Sequence, residues 1–313
     1  MKDRYLILDC YVDEPACLGV PPFISHYPRY LYGALLDAGV AEERIDYLTI
    51  DGVRESGFRA DQGYSKAFLV GGAAVPGKYL GYKIGTLAEI HRVIAANPRL
   101  DFAVGGWIAR IVDYSSLKNA RAVGGDIEKF AFTTASGAPL DATRSYEEVA
   151  RWAVSGGGIV KRHPEYPHLI AEVETYRGCP RTSHCSFCVE SLRQGTEFRR
   201  EEDILAEIDA LASLGVRRFR IGCQPDILLY GSPLERRIDG FPQPSPGNVI
   251  SLFRKLLERR RAGSIDLLNI DNANPGTIAR FPEESAAIIA EIAGAVTPGD
   301  TMSLGVESLD PAV

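Results

Sequence analysis

Three closely spaced cysteines are the residues of this chain best suited to chemistry. Cys179, Cys185 and Cys188 lie within ten residues, directly after an apolar run, 169–173, that predicts a strand. Thiolates are typical ligands of iron–sulfur clusters, zinc and copper(I). Three thiolates leave one coordination position open, which a catalytic metal centre needs and a structural site normally avoids. The spacing therefore predicts a [4Fe–4S] cluster with one iron free for a small-molecule ligand.

Two alternatives to a cluster stay open at these cysteines. His184 could complete a zinc site with the three thiolates, or the thiols could be buried without any metal. The strand and helix that flank the motif are not typical of an isolated zinc site. Of the remaining cysteines, we interpret Cys10 and Cys17 as structural. Cys223 is equally compatible with an inert core thiol and with a position beside a cofactor, because free cysteine is among the most buried residues.

Composition narrows the class of protein. A chain of 313 residues is long enough for about two domains. Its net charge of −6 gives no clear indication of binding to nucleic acid or to an anionic membrane. No stretch approaches the roughly 18 uncharged apolar residues of a membrane span. Six cysteines, three of them clustered, do not resemble a disulfide framework, so a cytoplasmic location is expected.

The first part of the chain alternates strand-like and helix-like segments, which is typical of an α/β domain with a parallel sheet. Predicted strands are 5–10, 46–50, 67–72 and 102–106, and predicted helices are 28–39 and 86–97. Thr86 and Glu89 form a capping-box pattern at the start of the second helix. We predict a Rossmann-like domain over 1–115 and a connecting segment over 116–165, with one helix at 146–154.

The alternation resumes after the connecting segment. Predicted strands are 169–175, 217–221, 265–270 and 302–306, and predicted helices are 200–214, 249–261 and 283–295. Repeated βα units of this length predict a barrel or half-barrel over 166–313. The chain stops directly after a strand, which would leave an unpaired edge. We therefore expect the barrel to be incomplete and this sequence to be the N-terminal portion of a longer protein.

Over residues 168–313 the sequence resembles the radical S-adenosylmethionine (radical SAM) superfamily. The resemblance rests on Arg177-Gly178-Cys179 after a strand, on Cys185-Ser186-Phe187-Cys188, on the helix and strand that follow, and on 305–310. The N-terminal third resembles the cobalamin-binding-type Rossmann domain that precedes the barrel in many members. Five residues separate the first two cysteines where the common motif has three, and the cobalt-ligating pattern Asp-x-His-x-x-Gly is absent.

The resemblance implies a cofactor set and a reaction. Cys179, Cys185 and Cys188 would hold a [4Fe–4S] cluster that reductively cleaves S-adenosylmethionine to a 5′-deoxyadenosyl radical. Substrate modification or methylation would follow, with an electron donor such as ferredoxin or flavodoxin. Cobalamin is a further cofactor under this hypothesis. The residues implied in cofactor binding are Phe187 near adenine, Gly222 and Gln224 near the methionyl amino group, and Asn269, Asp271, Glu307 and Ser308 near ribose hydroxyls or carboxylates.

Two alternatives to that function stay open. The first is a radical SAM enzyme with a vestigial first domain, which would carry out thiolation or rearrangement without cobalamin. The second is a non-catalytic iron–sulfur or zinc protein that senses redox state. Smaller features are compatible with ordinary structural roles: we expect His26 in a loop, Gly71, Gly72, Gly105 and Gly106 in tight turns or beside a cofactor, and Arg217, Arg218 and Arg220 in a salt-bridged strand face.

Overall fold

The computed structural model describes residues 3–14, 16–60, 63–72, 81–185, 188–192 and 195–306. The chain forms two units. The first comprises Met1–Glu14, Leu18–Leu169 and Ser213–Val216, and the second comprises Pro15–Cys17, Ile170–Ala212 and Arg217–Val313. This division falls at Leu169, and the domain boundaries drawn from the sequence at 115 and 165 stay predictions.

A five-stranded parallel sheet forms the centre of the first unit. Its strands are β1 (Tyr5–Asp9), β2 (Ile45–Thr49), β3 (Lys66–Val70), β4 (Asp101–Gly105) and β5 (Ala120–Ala122). They lie in the order β2-β1-β3-β4-β5, with every neighbouring pair parallel. This is the flavodoxin-like order of doubly wound sheets. The first four strands match the predicted ones to within one or two residues at each end.

Six helices accompany this sheet among the described residues. They are α1 (His26–Asp37), α2 (Ile50–Glu55), α3 (Leu87–Ala96), α4 (Ile108–Ile111), α5 (Ile127–Ser136) and α6 (Tyr146–Ser155). The capping box predicted at Thr86 and Glu89 is confirmed, with the Thr86 hydroxyl accepting from the Glu89 N–H. Sequence reasoning missed β5 and α5, which lie inside the stretch interpreted as irregular. Both α5 and α6 pack against α1.

The second unit repeats strand and helix in sequence. Its longer strands are β6 (Ile170–Glu174), β9 (Arg218–Gly222) and β12 (Leu267–Ile270), which pair in parallel in chain order. The two-residue strands are β7 (Tyr176–Arg177), β8 (Glu197–Phe198), β10 (Arg237–Ile238), β11 (Phe241–Pro242), β13 (Asn272–Ala273) and β14 (Ser303–Leu304). β14 pairs in parallel with β13, which directly follows β12. Four successive parallel strands are the start of a barrel, as predicted.

The helices between these strands are α7 (Glu201–Ser213), α8 (Pro246–Arg261), α9 (Pro275–Arg280) and α10 (Pro282–Ala295). The apolar side chains of α7 that are buried include Ile204, Leu205, Ile208 and Leu211. Along β6 and β9 the apolar residues alternate with charged ones, so one face of this sheet is apolar and the other is polar. Within the described residues, no helix has the length and apolar content needed to cross a membrane.

Candidate functional site

A short antiparallel ladder closes the base of the cysteine loop, by which we mean residues 178–196 between β7 and β8. The Arg177 guanidinium lies 2.6 Å from the Glu197 carboxylate across this ladder. Gly178 enters the loop with a φ of +81°, and a Cβ there would collide with the carbonyl oxygen of Gly195. Glycine suits such a backbone and so close an approach because it has no Cβ. The two ends of the loop are therefore held together.

Buried hydrogen bonds fix this base to its surroundings in the second unit. The Tyr176 hydroxyl donates to the Asp226 carbonyl oxygen at 2.6 Å and accepts from the Asp226 N–H at 3.0 Å. The Tyr230 hydroxyl donates to the Arg199 carbonyl oxygen at 2.8 Å. The Arg199 guanidinium is 2.7 Å from the Glu207 carboxylate on α7, and both side chains are almost fully buried. These buried contacts thus fix the backbone at the base of the cysteine loop.

All three cysteines line one cavity of about 410 Å³ in the second unit. Its volume is typical of a small-molecule site. The wall also includes Arg181, His184, Glu190, Asp226, Phe241, Asn272 and Asn274. These residues follow the carboxyl ends of β6, β9 and β12, where the ligand sites of βα barrels lie. The three thiols, which are soft metal ligands, therefore share one cavity with cationic, acidic, amide and aromatic side chains.

The environment of the cysteines acts on their thiolate forms in two opposite directions. Burial raises the pKa of the Cys179 thiol, while the N–H and the guanidinium of Arg181 act in the opposite direction. Arg181 Nη1 lies 3.6 Å from Cys185 Sγ. The Cys188 N–H donates to the Cys185 carbonyl oxygen at 3.2 Å, which brings the last two cysteines into one turn. All three are half-buried and accessible from the cavity.

The donor set fits an iron–sulfur cluster with one open position. Three thiolates supply three ligands, and the adjoining cavity offers space for a small molecule at a fourth. His184 lines the same cavity, so the residues of the alternative zinc site also lie in this region. In a structural zinc site the protein supplies all four tetrahedral ligands, so the site needs no small-molecule cavity beside it. The size and mixed lining of the cavity therefore favour the cluster.

Gly222 and Gln224, predicted near the methionyl amino group, lie at and after the end of β9. Gln224 is fully buried; its Oε1 accepts from the Thr175 hydroxyl at 2.9 Å, and its Nε2 donates to the Ile221 carbonyl oxygen at 3.2 Å. A Cβ on Gly222 would collide with the carboxylate of Glu172. Gln224 thus links the ends of β6 and β9, and Gly222 leaves room for the side chain of Glu172.

Asn269 and Asp271, predicted to reach ribose hydroxyls or carboxylates, also contact the protein itself. Asn269 Nδ2 donates to Asp300 Oδ1 at 2.6 Å. Asp271 pairs with Arg220, which also pairs with Glu172. Burial raises the pKa of Asp271, although Arg220 acts in the opposite direction. The salt-bridged interpretation of the arginine-rich strand is thus confirmed at Arg220.

The structure places the three predicted cluster ligands around one cavity but does not place the whole predicted cofactor set there. Among the described residues, Gly222, Gln224, Asn269 and Asp271 do not line the cavity of the cysteines. Phe187, Glu307 and Ser308 lie outside the described residues. All seven assignments stay predictions. Sequence reasoning missed Arg181, Asp226 and Phe241 in the cavity wall; Arg181 could have been noticed from its position between the first two cysteines.

The carboxyl edge of the first sheet carries a separate polar network. Asp9, at the end of β1, accepts from the Tyr47 hydroxyl and from the Tyr11 N–H, each at 2.9 Å. Burial raises the pKa of Asp9 to about 6. The Tyr11 hydroxyl donates to Asp51 at 3.0 Å. His26, expected in a loop, is instead the first residue of α1, and its ring lies 4.2 Å from that of Tyr27.

The glycines at this edge pack against the chain itself. A Cβ on Gly71 would crowd Ile108, and a Cβ on Gly72 would crowd Val12. The space beside Gly105 is similarly filled by the side chain of Ile127. Close packing therefore accounts for these glycines, and they give no sign of a cofactor approaching the backbone.

The chain matches longer archaeal proteins, and no known family model matches it. An uncharacterized protein of Methanocaldococcus jannaschii is 38% identical over 343 aligned positions, covering 100% of this chain and 60% of that protein. An uncharacterized protein of Archaeoglobus fulgidus is 37% identical over 309 positions, covering 98% of this chain and 55% of that protein. The chain therefore spans little more than half the length of these curated relatives.

Two solved structures with a similar fold are of S-adenosylmethionine radical proteins. The radical S-adenosylmethionine methyltransferase TsrM from Kitasatospora setae, solved with cobalamin and a [4Fe–4S] cluster, has a TM-score of 0.55 at 15% identity, covering 93% of this chain and 59% of that one. The cobalamin-dependent S-adenosylmethionine radical enzyme OxsB has a TM-score of 0.61 at 12% identity, covering 98% and 44%. At these identities the likeness concerns the fold, and it confirms the predicted α/β class.

Proposed function

We propose that the full-length protein is a radical SAM enzyme that holds a [4Fe–4S] cluster at Cys179, Cys185 and Cys188. The observation that carries this proposal is that all three thiols line one small-molecule-sized cavity beyond the carboxyl ends of parallel strands. The fold likeness to TsrM and OxsB supports the same class. Modification or methylation of a substrate is the proposed outcome, and the chain leaves the substrate open.

The cluster would supply the single electron that cleaves the sulfonium bond of S-adenosylmethionine, and the protein would supply position and shielding. Arg181 gives the cavity a positive charge beside the thiols, while Glu190 and Asp226 place carboxyls in the same wall. S-adenosylmethionine carries both an ammonium and a carboxylate, so a wall with both signs of charge suits it. Phe241 adds an aromatic face to this wall.

A low-potential one-electron donor, of the ferredoxin or flavodoxin class, is part of the proposal. The described cysteines are free thiols, which suits a reducing compartment such as the cytoplasm. The non-catalytic redox sensor is the alternative from another class. It would need the same three ligands but no small-molecule cavity beside them, so the lining of the cavity favours the enzyme.

Cluster ligation is tested by iron content. Replacing Cys179, Cys185 or Cys188 with Ala should abolish iron binding after anaerobic reconstitution, because each removes one of only three protein ligands. Cys17→Ala is the control, since Cys17 is buried and is not among the described residues that line the cavity. Equal iron in all four variants would overturn the assignment.

Cobalamin binding by the first unit is a second part of the proposal, supported by its 2-1-3-4-5 strand order and by the fold likeness to two cobalamin-binding proteins. We expect the full-length protein to retain hydroxocobalamin through gel filtration, detected by the corrinoid absorbance. Loss of all corrinoid during filtration would instead favour a vestigial first domain and a reaction without cobalamin. Iron content measured on the same sample shows whether the protein was otherwise intact.

A further inference from the structure

A β-hairpin is hydrogen-bonded to the segment between the first two cysteines. This hairpin, residues 237–242, pairs β10 with β11. Arg237 Nη1 donates to the Pro180 carbonyl oxygen at 2.5 Å. The Thr182 N–H donates to the Gly240 carbonyl oxygen at 3.2 Å. Hydrogen bonds on both sides of Arg181 therefore fix the backbone from which its side chain extends.

The guanidinium of Arg181 lies between an aromatic ring and a thiol. Its Cζ is 4.7 Å from the centre of the Phe241 ring, within the range of a cation–π interaction. Its Nη1 is 3.6 Å from Cys185 Sγ. Within the described part of the chain, no carboxylate forms an ion pair with Arg181, although its charge also acts on the carboxyl of Asp226. The guanidinium is thus held where its charge and its N–H groups act on the sulfur.

Arg280 provides an internal comparison. Its Cζ lies 4.2 Å from the centre of the same Phe241 ring. It forms an ion pair with Asp239 at 3.4 Å, and it is not among the described residues that line the cavity. The chain therefore carries two arginines against one ring, of which Arg181 reaches a predicted cluster ligand and Arg280 reaches a carboxylate.

A hydrogen bond or a positive charge beside a cluster thiolate has a defined electronic effect. Reduction adds one negative charge to the cluster, and a nearby cation stabilises that charge by Coulomb attraction. Hydrogen bonds to the sulfurs are among the features that set the reduction potential of iron–sulfur clusters. Such partners of ligands also fix ligand orientation. An arginine at Cys185 should therefore make the bound cluster easier to reduce.

We propose that Arg181, held by the 237–242 hairpin and by Phe241, is a positioning residue that hydrogen-bonds the Cys185 thiolate and raises the reduction potential of the cluster. This inference rests on the proposed function, because it requires a cluster at these cysteines. It assigns a role to one of the five residues between Cys179 and Cys185. The residue acts on the ease of reduction and takes no part in bond cleavage.

The test is a redox titration of the full-length, reconstituted protein, followed by electron paramagnetic resonance of the reduced cluster. Arg181→Gln removes the charge and the forked donor. At the wild-type midpoint potential we expect the ratio of reduced to oxidised cluster in this variant to fall roughly tenfold, about 59 mV for a one-electron couple. Arg280→Gln, which removes the same charge from the same ring, should change the ratio less than about twofold, because Arg280 is not among the described residues that line the cavity and its charge is paired with Asp239.

Iron content separates the possible failures. A variant with wild-type iron and an unchanged ratio would overturn the role of Arg181 while leaving cluster binding intact. An equal fall of the ratio in both variants would also overturn it, because the effect would then come from the loss of any nearby positive charge and not from the contact of Arg181 with Cys185. Absence of a cluster from the wild-type protein would instead defeat the proposed function. If Arg181→Gln loses iron, Arg181→Met, which keeps an unbranched side chain but has neither the charge nor an N–H donor, replaces it: a fall of more than about twofold supports the proposal and a smaller one contradicts it.

Discussion

Among single residues, Gly178 determines how the chain enters the cysteine loop. Its φ of +81° and its contact with the Gly195 carbonyl oxygen leave no space for a side chain. Gly178→Ala should destabilise the second unit by about 1–3 kcal/mol and lower the iron retained after reconstitution. Denaturant unfolding and iron analysis measure the two effects.

Gly263 is the matched control for this substitution. It also has a left-handed φ, +75°, but a Cβ there would meet nothing within 4 Å. Gly263→Ala should therefore carry the backbone penalty alone and leave the iron content unchanged. Equal losses of stability and iron in the two variants would show that the close approach at Gly178 is unimportant.

Asp226 should make stability depend on pH in a direction opposite to most carboxyls. Burial raises its pKa to about 7, although Thr277 and the N–H groups of Asn274 and Leu228 act to lower it. The unfolded carboxyl titrates near pH 4, so between about pH 4 and pH 7 the folded state binds the proton that the unfolded state has lost. This contribution to stability is present below about pH 4 and is lost as pH rises toward 7, with a slope of at most about 1.4 kcal/mol per pH unit.

Asp226→Asn removes this titration while keeping the size of the side chain. Denaturant midpoints of the wild type and the variant, measured from acid to neutral pH, should converge or cross as the wild-type contribution disappears. Two curves that stay parallel across that range would contradict the raised pKa. The effect is measured as a difference between variants because Asp9 and Asp13 also have pKa values raised to about 6 by burial.

Residue types alone predict only part of the site. Three cysteines at short spacing predict a metal centre because few other roles need them so close together in sequence. Arg181, Asp226 and Phe241 come from three separate segments, and only the folded chain places them in one wall. Arg220 shows the same limit, because its carboxylate partners are separated from it by 48 and 51 residues.

Among the elements, α7 is joined to the outgoing end of the cysteine loop by the buried pair of Arg199 and Glu207. The two side chains are 1% and 0% exposed. Arg199→Ala should cost about 3–5 kcal/mol, because it removes the buried guanidinium that pairs with the buried Glu207 carboxylate. Denaturant unfolding followed by circular dichroism measures this cost.

The pair of Arg259 and Asp209 is the matched control, because it also lies on helices of the second unit but its aspartate is 51% exposed. Arg259→Ala should cost less than about 1 kcal/mol. A similar cost for both arginines would contradict the importance of the buried pair. A large effect on iron content in Arg199→Ala alone would link α7 to the geometry of the loop.

Elements differ in how well the sequence predicts them. Long apolar strands and amphipathic helices are predicted to within a few residues, because their hydrophobic periods of two and about 3.6 are local patterns. The 237–242 hairpin and β5 are too short to carry such a pattern. Both depend on tertiary contacts. For the hairpin, these include the hydrogen bonds of Arg237 to Pro180 and of Thr182 to Gly240, which join it to the cysteine loop.

For the molecule as a whole, repeated βα units predict the fold class correctly. The order of the first sheet could not be read from the chain, since it depends on which strand pairs with which across the helices. The first unit has the 2-1-3-4-5 order and the second unit has four sequential parallel strands. The curated relatives extend well beyond the part that this chain matches, so the activity is proposed for the full-length protein and its substrate stays open.

The proposed function depends above all on reductive cleavage of S-adenosylmethionine at the three-cysteine cavity. This cleavage is measured as 5′-deoxyadenosine, quantified by chromatography, after anaerobic reduction of the reconstituted full-length protein with dithionite in the presence of S-adenosylmethionine. We expect product from the wild type and none from Cys185→Ala. No product from a wild-type protein shown to carry an intact [4Fe–4S] cluster would contradict the proposal and favour the redox sensor.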